Sequence, residues 1–139
     1  MNWFFWSLLS AFFAGATAIL AKVGVENVNS NLATAIRTTV VLIFTWTLAL
    51  ATAAPASLLN LSRRTWIFLT LSGVATGLSW LCYFRALQLG EASRVAPVDK
   101  LSLAFVLLFA VLFLHEPLTW KHWAGGGLVL VGALLLAWT

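Results

Sequence analysis

The chain is poor in charge: only 9% of its 139 residues are Asp, Glu, Lys or Arg, and just four of them are acidic. Soluble domains carry about 25% charged residues, and a chain with so few could not cover its own surface in water. A soluble enzyme, a nucleic-acid-binding domain and a disordered segment are therefore excluded. The single cysteine, Cys82, allows no internal disulfide and leaves the redox compartment unread. A small packing residue is its expected role. What the chain has instead is apolar side chains, 62% of the total against about 45–50% in soluble domains. It is the sequence of an integral membrane protein, with the lipid bilayer as its first partner. The net charge of +4 would suggest nucleic acid in a soluble protein. Here the eight Lys and Arg fall in or beside the gaps between apolar runs, where orientation-setting charges sit.

A bilayer core needs about 20 mostly apolar residues per helix. Five stretches qualify: residues 3–21, 32–54, 65–84, 95–114 and 120–138. The gaps carry the breakers, Asn27 to Asn31, Pro55 to Arg64, Gly90 to Arg94 and His115 to Thr119. Ser30 or Asn31 is expected to cap the second helix and Thr119 the fifth. The expected fold is thus all-α, a bundle of five transmembrane helices forming one domain over residues 1–139, with the two termini on opposite sides. The first run ends in small residues but starts without Lys or Arg, and it exceeds the usual h-region length. A retained helix is expected there.

Six tryptophans, Trp3, Trp6, Trp66, Trp120, Trp123 and Trp138, lie near run ends, as interfacial anchors do. Trp46 and Trp80 lie within runs. They are either lipid-facing or packed aromatics, or walls of a binding cavity, since indole faces hold apolar or cationic solutes. Small residues recur at helix-packing spacing: Ala11 and Gly15, Ala14 and Ala18, Gly73 and Gly77, then Gly125, Gly126, Gly127 and Gly132. Such faces let membrane helices approach closely, within a bundle or across a dimer.

The side of the membrane holding the 22–30 and 85–94 turns is termed side B, and the other side A. Outside the runs, Arg63, Arg64 and Lys121 on side A balance Lys22, Arg85 and Arg94 on side B. Arg37 and Lys100, inside runs near side B, tilt the count toward a cytoplasmic side B. The bias is small enough that insertion in both directions, with two copies pairing antiparallel, stands beside a single orientation.

An ionisable residue inside a membrane run costs about 2.5–3.5 kcal/mol on insertion scales and marks a candidate functional position. Arg37 lies five residues past Leu32, about 8 Å along the helix, and Asp99 lies four past Val95, about 6 Å in. Lys100 follows. These three sit at similar depth from side B. Either Asp99 pairs with Arg37 while Lys100 snorkels to the interface, or the three line a polar vestibule that attracts anionic or zwitterionic solutes and exchanges protons at Asp99. Pro97 is expected at a helix start near Ala96, where its missing N–H is harmless. The alternative is a broken helix of the kind found at transporter sites.

His115, Glu116, Lys121 and His122 do not have the HExxH spacing and read as an interhelical turn, so no metal site is expected. With no phosphate loop, nucleophile elbow or other cofactor or catalytic motif, neither an enzyme nor a cofactor is expected.

The stretch from Tyr83 through Ala86-Leu87 and Ser93-Arg-Val-Ala-Pro97, followed by a helix ending Phe113-Leu-His-Glu116 and a glycine-rich last helix, resembles a single EamA domain of the drug/metabolite transporter superfamily. The resemblance covers essentially the whole chain and is to the short bacterial and archaeal five-helix branch. Most relatives carry two such domains as inverted repeats in ten helices, so this chain corresponds to half of one. The resemblance implies a secondary transporter or exporter of small metabolites or drugs in a prokaryotic inner membrane. It implies a homodimer working by alternating access, or one copy with a partner. A cytoplasmic N-terminus is what it implies for a first-half domain, opposite to the charge count. His115 stands where relatives often have glycine, and Glu116 is expected to cap or anchor its helix end. Small multidrug transporters, a neighbouring group, use a glutamate in the first helix, whereas the first run here holds no acid. Proton coupling would fall to Asp99, or transport would be facilitated diffusion. The candidate substrate and coupling residues are accordingly Arg37, Asp99, Lys100, Trp46, Trp80 and Tyr83, with Gly15, Gly73, Gly77 and Gly126 as packing positions. A non-transporting accessory subunit, or a subunit of a lipid-carrier flippase, is the other reading.

Overall fold

The computed structural model describes residues 2–52 and 61–138, with no strand among the described residues. The helices are α1 (Trp3–Gly24), α2 (Ser30–Thr52), α3 (Arg63–Leu89), α4 (Ala92–Asp99), α5 (Ser102–Leu114) and α6 (Trp120–Trp138). Because α4 and α5 run on as one span, Ala92–Leu114, the described residues form five spans long and apolar enough to cross a membrane. Ala53 and Ala54, expected in the second helix, and the first part of the turn beginning at Pro55 lie outside the described residues. Several ends pass the expected limits: α1 continues through Lys22 to Gly24, α3 takes in Arg63 and Arg64 and runs to Leu89, and α4 starts at Ala92. Apolar runs mark where lipid contacts side chains. The backbone beyond them still gains by bonding within the helix, so charged interfacial residues extend it.

The cap of α2 is corrected by the structure. Asn29 Oδ1 accepts the N–H groups of Asn31 at 2.9 Å and Leu32 at 3.3 Å, which places the capping side chain one residue before Ser30. Ser62 caps α3 by accepting the Thr65 N–H at 3.1 Å. Thr119 precedes α6 as expected. His122, three residues on, takes the place usually held by Glu or Gln in a capping box, its Nδ1 accepting the Thr119 N–H at 3.0 Å. At the end of α5, His115 has φ 55° and is left-handed, the conformation for which glycine carries no penalty. Glu116 closes this helix end through its backbone, its N–H bonding the Ala110 carbonyl at 3.1 Å.

Two compact units emerge, one from Val23 to Gln88, the other from residues up to 22 together with those from Leu89 on. In the first, the buried residues are Val25, Ser30, Thr34, Phe84 and Leu87. None lies in α2 beyond Thr34 or in α3 before Phe84. The tight packing is therefore at one end, where the turn before α2 meets the end of α3. Gln88 fastens that corner: its Nε2 donates to the Val25 carbonyl at 3.3 Å and to the Val28 carbonyl. Arg85 in turn donates to Gln88 Oε1 at 3.0 Å.

In the second unit, Lys22 Nζ donates to the Gly90 carbonyl at 2.8 Å, tying the end of α1 to the turn before α4. Helix α6 packs on α4 and α5. Gly126 is the packing glycine that the chain itself uses, for a Cβ there would lie 2.6 Å from Leu107 Cδ1. A Cβ at Gly15, Gly73 or Gly77 would meet no described atom within 4 Å, so those faces are open. Gly126→Val is expected to lower stability by about 1–3 kcal/mol, the usual range for overpacking. Gly126→Ala should cost less, because the end of the Leu107 side chain can rotate away. Melting temperatures of the two variants in one detergent check the order.

Candidate functional site

The Val23–Gln88 unit brings together three of the sequence-derived candidates. Arg37 lies seven residues into α2 from Ser30, about 10 Å along the axis. Its Cζ sits 4.3 Å from the ring centroid of Trp80 and 5.4 Å from that of Phe84. Trp80 and Phe84 are four apart on α3 and so share a face. Tyr83, half-buried next to them, lies within electrostatic range of the guanidinium. Trp80 and Tyr83, expected as cavity walls, thus lie near the Arg37 guanidinium. Phe84 was missed, because its position in an apolar run gives no sign that it faces a cation.

Trp46 is placed apart. It is nine residues from Arg37, roughly 14 Å along α2, and 45% exposed. The cavity of this unit is an open groove of about 390 Å³ between α2 and α3, lined by Asn31, Thr34, Thr38, Thr39, Gly77 and Leu81 among others. Its threonines were not singled out in the sequence. Each bonds its own helix, Thr34 to the Ser30 carbonyl at 2.8 Å, Thr38 to that of Thr34 at 2.7 Å and Thr39 to that of Ala35 at 3.0 Å. That back-bonding satisfies hydroxyl donors in an apolar setting, and it makes the groove less polar than its composition suggests.

The other unit holds Asp99 and Lys100, and here the expected helix start at Pro97 is corrected. Helix α4 begins at Ala92 and Pro97 is inside it. The first four N–H groups of a helix have no partner within it, but Pro97 is the sixth residue, so its missing N–H leaves the Ser93 carbonyl without that bond. Three residues later the span changes winding. The N–H groups of Lys100, Leu101, Leu103 and Ala104 bond the carbonyls of Pro97, Val98, Lys100 and Leu101, all at 3.0 Å and all three residues back. Such a 3₁₀ stretch within a helix often marks a hinge. At this break Lys100 Nζ lies 3.1 Å from Asp99 Oδ2, with 58% of the Lys100 side chain exposed. Asp99 keeps 38% of its side chain exposed.

Comparison with known proteins agrees with this architecture. The model of the EamA-like transporter family matches residues 1–138. A Sinorhizobium protein described as "Uncharacterized transporter in cobO 3'region" is 54% identical over 136 residues, 98% of this chain and 96% of that protein. Two more distant relatives are described as probable 4-amino-4-deoxy-L-arabinose-phosphoundecaprenol flippase subunits ArnE. That of Aeromonas salmonicida is 36% identical over 69 residues, 50% of this chain and 60% of its own length. That of Yersinia pestis is 35% identical over 80 residues, 58% of this chain and 68% of its own length. No solved structure matches. With five membrane-capable spans and a family match over nearly every residue, this multi-pass integral membrane chain belongs to the EamA-like transporter family.

Proposed function

We propose that the protein is a secondary transporter or exporter of small metabolites or drugs in a prokaryotic cytoplasmic membrane, acting as a dimer by alternating access. The observation that carries the reading is the broken fourth span. Irregular backbone at membrane depth is tolerated where it is buried in protein or lines a water-filled cavity, and discontinuous helices form the ion and substrate sites of many transporters. Here the irregular stretch coincides with the Asp99–Lys100 pair. The open faces at Gly73 and Gly77 support a second copy, since small residues let helices of two chains approach closely. The candidate substrate contacts are Arg37, with Trp80 and Tyr83 as walls, in one unit, and Asp99 and Lys100 in the other. No bond-making chemistry is assigned to any residue.

A second reading, a subunit of a lipid-carrier flippase that needs a partner, is favoured by the likeness to the ArnE subunits. Reporters at the C-terminus, one active only inside and one only outside the cell, separate the models. Signal from both supports an antiparallel homodimer. Signal from one alone, with a stoichiometric partner recovered after mild solubilisation and no homodimer, supports the subunit. Purified homodimer in vesicles that moves no solute from a broad panel overturns the transporter.

A further inference from the structure

Arg37 lies within α2, and no carboxylate of its own unit is paired with it among the described residues. The only carboxylate of that unit is Glu26, and among the described residues it makes no ion pair with Arg37. The groups around the guanidinium are rings, Trp80 and Phe84, with the Tyr83 phenol near. Placing an arginine at the centre of a span costs about 2.5–3.5 kcal/mol, and two cation–π contacts at about 0.5–2 kcal/mol each can offset that cost without supplying a counter-charge. The guanidinium also carries five N–H donors in one plane, and a ring offers them no oxygen or nitrogen acceptor. That planar fork matches the two oxygens of a carboxylate or phosphate. The rings also fix its direction and exclude water from one side, which strengthens attraction to an anion. In the other unit Lys100 already has a counter-charge in Asp99.

We propose that Arg37, held 4.3 Å from the Trp80 ring centroid and 5.4 Å from that of Phe84, is an oxyanion-binding subsite that takes the carboxylate or phosphate group of a small solute or of a lipid headgroup. This rests on the transporter reading for its role in transport, although anion binding itself does not require flux.

The test is equilibrium binding by purified protein in uncharged detergent micelles, followed by calorimetry and thermal shift without any gradient. The probes are inorganic phosphate and acetate at matched ionic strength, and micelles doped with phosphatidylglycerol against phosphatidylcholine. Saturable binding is expected for the unmodified protein, at least tenfold weaker for Arg37→Gln. Arg37→Lys should also bind more weakly, since an ammonium has no planar fork. Lys121→Gln, distant in sequence and exposed, should bind as the unmodified protein does. Should Arg37→Gln fail to fold, Trp80→Leu keeps the charge and removes its support, and a loss of about fivefold is expected from the cation–π contribution. A response to phosphate or acetate but not to phosphatidylglycerol assigns a free solute, and the converse a lipid headgroup. No saturable response to any probe overturns the proposal, as does equal binding by folded Arg37→Gln or an equal loss in Lys121→Gln. Flux of anionic solutes that Arg37→Gln leaves unchanged also overturns it while the transporter stands. Arg37-dependent binding in a protein that moves nothing keeps the subsite and removes the transporter.

Discussion

Replacing Asp99 by asparagine is expected to reduce flux driven by an imposed proton gradient to the level of empty vesicles. The reasoning is by elimination among four acidic residues. Glu26 follows α1, Glu91 precedes α4 and Glu116 follows α5, so Asp99 is the carboxylate that lies within a span. A proton carried through the spans by a carboxylate must be carried there. The side chain is suited to the task because it is half-buried, sits where α4 ends and is paired with Lys100 at 3.1 Å. Asparagine keeps the shape and an oxygen for Lys100 but cannot ionise. Flux measured in vesicles with an imposed pH difference decides the matter. If it persists with the same pH dependence while the melting temperature falls, the Asp99–Lys100 pair serves folding alone.

The largest loss of stability is expected from Leu87→Ala. Leu87 has 0% of its surface exposed, and Val25 and Phe84 in the same unit are nearly as enclosed. Truncating a fully buried leucine typically costs 2–5 kcal/mol, because the removed contacts are lost and the cavity closes only in part. The site lies at the corner that Gln88 ties to the turn before α2, so little else there can shift to fill it. Leu78→Ala on the same helix is the control. Leu78 is 60% exposed and its truncation leaves no cavity. Melting of the two variants in one detergent should separate them clearly. A Leu87→Ala variant as stable as Leu78→Ala would mean that this corner is not where α2 and α3 are held.

The five spans were legible because crossing a bilayer is a demand on length and composition, and both are properties of the sequence alone. Helix ends were less so. Hydropathy stops at Phe84, whereas the helix stops at Leu89, since backbone bonding does not depend on whether a side chain is charged. The cap of α2 was missed by one or two positions among Asn29, Ser30 and Asn31, all of them good caps. Which one acts depends on the backbone angle at the turn, where Asn27 has φ 58°. Pro97 admitted either a helix start or a break, and the choice depended on whether the four residues before Ala96 could wind. They do, with the N–H groups of Arg94 and Val95 bonding the Glu91 carbonyl.

The candidate site divides in the same way. That Arg37, Asp99 and Lys100 are costly and so informative follows from their place in apolar runs. Their partners do not. Depth along the membrane offered Asp99 as a partner for Arg37, but depth is one coordinate and a contact needs three. The rings that meet Arg37 come from residues more than 40 positions away in the chain. Gln88 had no motif at all, and its role exists only where a turn and a helix end meet.

By itself the sequence determined that this is an all-α membrane protein of five spans, which side chains are too polar for lipid, and to which family the chain is similar. Composition and spacing suffice for these, because the bilayer acts on every residue according to its own chemistry. Tertiary structure decided what stands against each of these groups: Asp99 against Lys100, and the rings of Trp80 and Phe84 against Arg37. It also decided which glycine is used within the chain, Gly126, and which stay open. Those outcomes depend on the rotation of one helix against another, a quantity that the hydrophobic pattern of an all-apolar span leaves free.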